Sequence, residues 1–198
     1  MGAGNAAGWI EVVVGSMYSG KTEELIRRLR RAEYAKLKVQ AFKPIIDDRY
    51  HATHVASHNK NHFHATPLKS IHDVWDHLKD DTQVVGFDEG QFFTMDFVPV
   101  CRDLAARGVR VIISGLDMDW MGRPFEPIPT LMAIAEDVTK HRAICTVCGE
   151  LATYTQKLRG TDSQIEVGSQ NSYEARCRVH FSPRVLEEVA SAFSEANP

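Results

Sequence analysis

The chain has 198 residues, 43% hydrophobic and 25% charged, with a formal net charge of −3; this suits one globular domain, or one with a small appendage, long enough to bury a core. The acidic balance argues against duplex nucleic acid as the main partner, and no apolar run approaches the ~20 residues of a membrane helix. The opening MGAGNAAGWIEVVV lacks the basic and long apolar stretches of a secretion signal, so the expectation is a cytoplasmic protein with no membrane partner.

WIEVVVG is a short apolar run ending in a turn, which predicts a buried strand. Residues 22–36 place Leu25, Ile26 and Leu29 on one face and arginines on the other, the pattern of an amphipathic helix. KVQAFKP predicts a second strand stopped by Pro44, and the polar stretch 47–61 a surface loop. Ser70 to Leu78 reads as a helix capped by Ser70. TQVVGFDE predicts a third strand, FVPVCRDLAARG a helix stopped at Gly108, and VRVIISGLD a fourth strand. Strands alternating with helices imply an α/β fold around a mainly parallel sheet, with ligands at the carboxyl ends of its strands. From about Lys140 short β-like pieces surround CTVCG and CRVHF, and SPRVLEEVASAF predicts a final helix capped by Ser182 with Pro183 at its first position.

The turn after the first strand is GSMYSGKT: Gly15, Ser16, Met17, Tyr18, Ser19, Gly20, Lys21 and Thr22. It matches the phosphate-binding P-loop pattern in the right context, after a strand and opening a helix. The glycines let successive N–H groups point at phosphate oxygens, and the helix start adds its positive dipole end. Lys21 is expected to reach the outer phosphates and the Thr22 hydroxyl to ligate Mg²⁺. VVGFDEGQFF supplies a partner carboxylate, Asp88, for the metal or its waters, and its neighbour Glu89 is expected to point the other way out of the strand. In an ATPase such a second carboxylate would polarise water; in a small-molecule kinase it would take a proton from a substrate hydroxyl. The residues therefore indicate a nucleoside triphosphate and Mg²⁺ and leave the phosphoryl acceptor open.

Cys145 and Cys148 in CTVCG, with Cys177 and His180 in CRVH, give two knuckles with two residues between ligands. That spacing suits a tetrahedral, structural Zn²⁺ site. Cys101 sits in a helical pattern and reads as a small buried hydrophobe. His51, His54, His58 and His62 recur at helix-like steps, but the surrounding residues avoid helix interiors, so a histidine-rich loop is expected rather than a second metal site. The domain reading is a nucleotide-binding α/β domain over 9–140, a zinc-binding lobe over 141–181 and a C-terminal helix or tail over 182–198.

GSMYSGKT, FKPIIDDRY, DEGQFF, GLDMDWMGRPF, CTVCG and SYEARCRVHF, in this order, resemble the zinc-containing (type II) thymidine kinase family from Trp9 to Phe181. The resemblance implies a RecA-like P-loop fold and ATP-dependent phosphorylation of the thymidine 5′-hydroxyl, with Glu89 as the base. It places Arg49 near the phosphates and Met17, Phe92, Leu116, Trp120, Phe125 and Thr155 around the thymine. It also implies a lasso loop over about Ile165 to Tyr173, with Ile165, Glu166, Val167 and Gly168 at the base and Tyr173 closing it. Family membership further implies a homotetramer inhibited by thymidine triphosphate. Three positions depart from the commonest family pattern: Trp120 stands for phenylalanine, Glu126 for glycine, and His180 for a cysteine of some relatives.

Two other readings share these motifs. A P-loop ATPase switch could use its zinc knuckle to hold nucleic acid or a protein, although QKLRG and ARCRVH are the only basic spots near it. A kinase of another nucleoside would differ only in the base pocket.

Overall fold

The computed structural model describes residues 7–45, 54–56, 62–158 and 172–182. Arg49, Ile165, Glu166, Val167, Gly168, most of the histidine-rich stretch and the expected final helix lie outside the described residues.

The strands in chain order are β1 (Ile10–Val14), β2 (Val39–Pro44), β3 (His54–Ala56), β4 (His62–His64), β5 (Thr66–Leu68), β6 (Val84–Phe87), β7 (Arg110–Gly115), β8 (Asp137–Lys140), β9 (Ala143–Ile144), β10 (Leu151–Ala152), β11 (Tyr154–Lys157) and β12 (Tyr173–Arg176). The α-helices are α1 (Lys21–Tyr34), α2 (Val74–His77), α3 (Phe97–Ala106) and α4 (Ile128–Ile134). The main sheet has the order β5-β2-β6-β7-β1-β8, and every neighbouring pair is parallel. Val14 lies opposite Gly115, and Phe87 opposite Ile113, so β1, β7 and β6 finish at one edge.

Side-chain alternation along the strands splits the core into two layers. Ile112 of β7 joins Leu25, Ile26, Leu29 and Ala32 of α1 on one face. Val111 and Ile113 join Phe97, Cys101 and Leu104 of α3 and Ile128 and Leu131 of α4 on the other. Phe87 anchors this second layer, stacked on Phe42 at 5.7 Å and edge-on to Phe97 at 4.9 Å between ring centroids. Cys101 is fully buried there and burial pushes its thiol up, so it packs as the small hydrophobe expected.

The structure differs from the sequence reading in several places. Residues 70–78 form a 3₁₀ turn, Ile71–Asp73, followed by the single turn α2, rather than one helix. Ser70 does cap it, in a capping box with Asp73, but only Ile71 and Val74 are buried, too little apolar surface to carry a longer helix. The segment expected as a surface loop contains β3, paired antiparallel with β4. The sequence reading did not foresee β4, β5, α4 or β8.

An ion network ties the amino end of the sheet to α1. The Glu11 carboxylate is 5% exposed and accepts from Trp9 Nε1, Arg110 Nε and Arg28 Nη1, each at 2.6 Å. Arg28 also reaches Glu24 at 2.8 Å and Asp137 at 3.0 Å, crossing from α1 to β8. Burial alone would raise the Glu11 pKa; the hydrogen bonds from Arg110, Trp9 and Arg28 outweigh it and hold the carboxyl below its usual range. Glu11→Gln should cost about 2 kcal/mol at pH 7, because it leaves the part-buried Arg28 and Arg110 short of a counter-charge. A depressed carboxyl pKa adds stability above the unfolded value of about 4.5 that is lost as pH falls through the folded value. Urea midpoints of wild type and variant should therefore differ fully at pH 7 and converge as the pH falls below about 4.5.

Candidate active site

At the carboxyl end of β1 the chain curls through Gly15–Gly20 into α1. Gly15 has φ 145°, and a Cβ there would lie 2.4 Å from the His141 carbonyl oxygen. Gly20 is left-handed, φ 84°, directly before the first helical residue, Lys21. The hydroxyls of Ser16 and Ser19 are buried with no hydrogen-bond partner among the described residues. Lys21, 9% exposed, donates from Nζ to the Ser16 carbonyl at 2.8 Å. Burial lowers the Lys21 pKa, and the charges of Glu89, Asp88 and Asp117 pull it back. Two orphaned hydroxyls, an ammonium and the N–H groups of a helix start form the donor set that a polyphosphate satisfies.

The end of β6 brings two carboxylates to the same edge. Asp88 is buried, and the Thr22 hydroxyl lies 3.4 Å from both its oxygens. Burial, then the charge of Glu89, pushes Asp88 up to about 7, against the pull of Lys21. Such a pair suits a divalent cation, which would restore the carboxylate form. Glu89 does not continue the strand alternation expected for it. It adopts a left-handed conformation, φ 52° and ψ 40°, as the strand breaks into a 3₁₀ turn over Gly90–Phe92. That conformation is uncommon outside glycine and often occurs at functional sites. Gln91 donates to Glu89 Oε2 at 2.5 Å.

Beyond β7, the chain folds back on itself between Asp117 and Phe125, pinned by Asp119 Oδ1, which accepts from the N–H groups of Met121 and Arg123 at 2.9 and 3.0 Å. This loop carries Trp120 and Phe125, both buried. Phe125 meets Phe92 edge-on, 6.2 Å between centroids. Asp117 bridges to Lys140 at 2.5 Å, linking the ends of β7 and β8 across β1.

The remaining described residues form a separate lobe of two antiparallel pairs, β9–β10 and β11–β12. One ligand atom each from Cys145, Cys148, Cys177 and His180 lies within 4.8 Å of all the others. Cys148 Sγ is 3.7 Å from Cys177 Sγ, and His180 Nδ1 is 3.2 Å from Cys177 Sγ and 3.8 Å from Cys145 Sγ. Tetrahedral bonds of ~2.3 Å put sulfurs ~3.8 Å apart, so the cluster fits an ion of zinc's size. Burial opposes ionisation of Cys145, but N–H groups of Cys177, Val147 and Cys148 outweigh it and bring the thiol to about 6, towards the thiolate a metal needs.

Among the described residues, hydrogen bonds join this lobe to the P-loop. Met17 N–H donates to the Thr155 hydroxyl at 3.0 Å, and the Tyr18 hydroxyl to the Tyr173 carbonyl at 3.2 Å.

A sequence model of the family described as "Thymidine kinase" matches residues 8–181. The chain belongs to the thymidine kinase family. It is 60% identical over 178 residues to the thymidine kinase of Bdellovibrio bacteriovorus, covering 90% of this chain and 87% of that one. It is 52% identical over 180 residues to the thymidine kinase of a Rhodothermus species, covering 91% and 84% respectively. The Cys₃His cluster is consistent with the zinc-containing branch.

The described residues named by the family resemblance are drawn together by contacts: Met17 with Thr155, Phe92 with Phe125, Leu116 with Glu89 through Gln91, and Trp120 with Tyr173 through Lys157. The sequence reading missed Gln91, although it sits in DEGQFF. It also missed Lys157, which is no surface charge: it is 5% exposed, with Nζ 5.1 Å from the Trp120 ring centroid and 5.9 Å from that of Tyr173. Cys145→Ser should lower bound zinc from about one equivalent per chain to well below it and destabilise the lobe. Metal release to a chromophoric chelator and a thermal melt check this; full metal retention would contradict the ligand set.

Proposed function

We propose that the chain transfers the γ-phosphoryl group of ATP to the 5′-hydroxyl of thymidine, giving thymidine monophosphate and ADP. The observation that supports the proposal is Glu89, left-handed at the end of β6 and tied through Gln91 to Leu116 at the end of β7, on the sheet edge that also carries the P-loop. Gly15 to Thr22 hold the triphosphate, with Lys21, Ser16 and Ser19 donating to its oxygens and Arg49 assisting. Thr22 and Asp88 would hold Mg²⁺, whose contribution when bound is to neutralise phosphate charge. Glu89 accepts the 5′-hydroxyl proton as the oxygen attacks in line; the new O–P bond forms while the bond to the ADP oxygen breaks. Lys21 and the loop N–H groups stabilise the charge on the transferring group.

Met17, Phe92, Leu116, Trp120, Phe125 and Thr155 surround the base, and the lasso residues Ile165, Glu166, Val167, Gly168 and Tyr173 close over it. Aromatic faces suit a flat base with a methyl group. Cys145, Cys148, Cys177 and His180 hold a structural Zn²⁺ that anchors the lasso; a closed four-ligand set leaves no position for catalysis. The reading extends to a cytoplasmic homotetramer inhibited by thymidine triphosphate, on the strength of family membership.

Glu89→Gln tests the proposal. Calorimetric affinities for ADP and thymidine should stay within about 3-fold, while kcat falls on the order of 10³-fold, within the range of general-base catalysis. Near-normal turnover in that variant would remove Glu89 from the role.

A further inference from the structure

Gln91 is 2% exposed, a buried amide that itself takes no part in the phosphoryl transfer. Its Oε1 accepts from the Leu116 N–H at 3.0 Å and its Nε2 donates to Glu89 Oε2 at 2.5 Å. A backbone N–H can only donate, so the amide oxygen must face Leu116 and the NH₂ must face the carboxylate. The flipped amide would oppose donor to donor and acceptor to acceptor. The slot is also closely fitted: a Cβ at Gly115 would come within 3.0 Å of Gln91 Oε1.

From these contacts we infer that Gln91 is the positioning residue for the Glu89 carboxylate. The inference rests on the reading of Glu89 as the base. Glu89 sits where β6 has broken into a left-handed turn, so regular sheet pairing does not fix its side chain. Gln91 does so by tying Oε2 to the end of β7. No hydrogen bond from a described residue engages Oε1, which leaves that oxygen for the substrate proton. Leu116, the other end of the tether, belongs to the pocket wall. One amide therefore sets the distance between the base and the bound nucleoside, and with it the spacing of proton acceptor and hydroxyl. Misplacing a reacting group by ~1 Å costs on the order of 10² in rate.

The test is a double-mutant cycle on the full-length enzyme, using single-turnover rates, thymidine and ADP affinities by calorimetry, and thermal melts. Gln91→Glu keeps the shape and the acceptor for Leu116 N–H but replaces the amide donor with a second carboxyl that competes with Glu89 for a proton. Gln91→Met, which loses both bonds at similar volume, guards against a folding failure of the first. Each should lower the rate about 30- to 100-fold with thymidine and ADP affinities within about 3-fold of wild type. In a Glu89→Gln background the same changes should lower the residual rate by less than about 3-fold, because Gln91 acts only through Glu89. Full loss repeated in that background would overturn the positioning role and leave Glu89 as the base. Near wild-type rates in both single variants would overturn it as well. If Glu89→Gln alone turned over normally, the base reading would fall and the positioning role with it.

Discussion

Parallel pairing constrains everything in this molecule. In a parallel sheet all strands point the same way, so the segments leaving their carboxyl ends are delivered side by side. The register of β1, β7 and β6 places Val14 against Gly115, and Ile113 against Phe87. The next residues along the chain are the P-loop, Leu116 and the Asp88–Glu89 pair. No long-range recognition is needed to assemble the phosphate site and the carboxylates; the hydrogen-bond ladder does it. The continuous apolar runs of β1, β6 and β7 make that ladder stable, since both faces are covered by helices.

The lobe that carries the Cys₃His cluster meets the same edge. β11 and β12 meet the P-loop through Thr155 and Tyr173, which bond to Met17 and Tyr18. A small lobe of two-stranded pairs buries few apolar side chains, mainly Ala143, Ala152 and Ala175 around Cys145 and Cys177. Such a core has little to hold itself rigid, and a metal on the Cys₃His set would supply a cross-link there. The buried Lys157, over the rings of Trp120 and Tyr173, joins the lobe to the loop after β7 by cation–π contact.

Much of this was legible in the sequence, for identifiable reasons. β1, α1 and the P-loop declare themselves because apolar run, glycine turn and amphipathic helix are contiguous. The Cys₃His ligand cluster was legible because both knuckles are short-range patterns. The hidden parts depend on distant contacts or on weak patterns. α4 comes directly after Pro127, carries Pro129 in its first turn and spans only Ile128–Ile134, so it shows little helical periodicity. β8 is an edge strand with mostly exposed side chains and no apolar alternation. The left-handed turn at Glu89 has no sequence signature, because glutamate does not advertise a positive φ. Gln91 is in plain view within DEGQFF, but its meaning comes from Leu116, on another strand end. Lys157 read as a basic surface spot because burial of a single lysine against aromatic rings cannot be seen in one dimension.

The most direct measurement of the central claim is ADP release with Mg²⁺ and ATP, run with thymidine, deoxyuridine, deoxycytidine, deoxyguanosine, no nucleoside, or single-stranded DNA. The expected result is strong stimulation by thymidine, matched mole for mole by thymidine monophosphate. Stimulation by another nucleoside instead of thymidine would contradict the reading of the base pocket. Stimulation by DNA, or none by any nucleoside, would contradict the phosphoryl transfer itself.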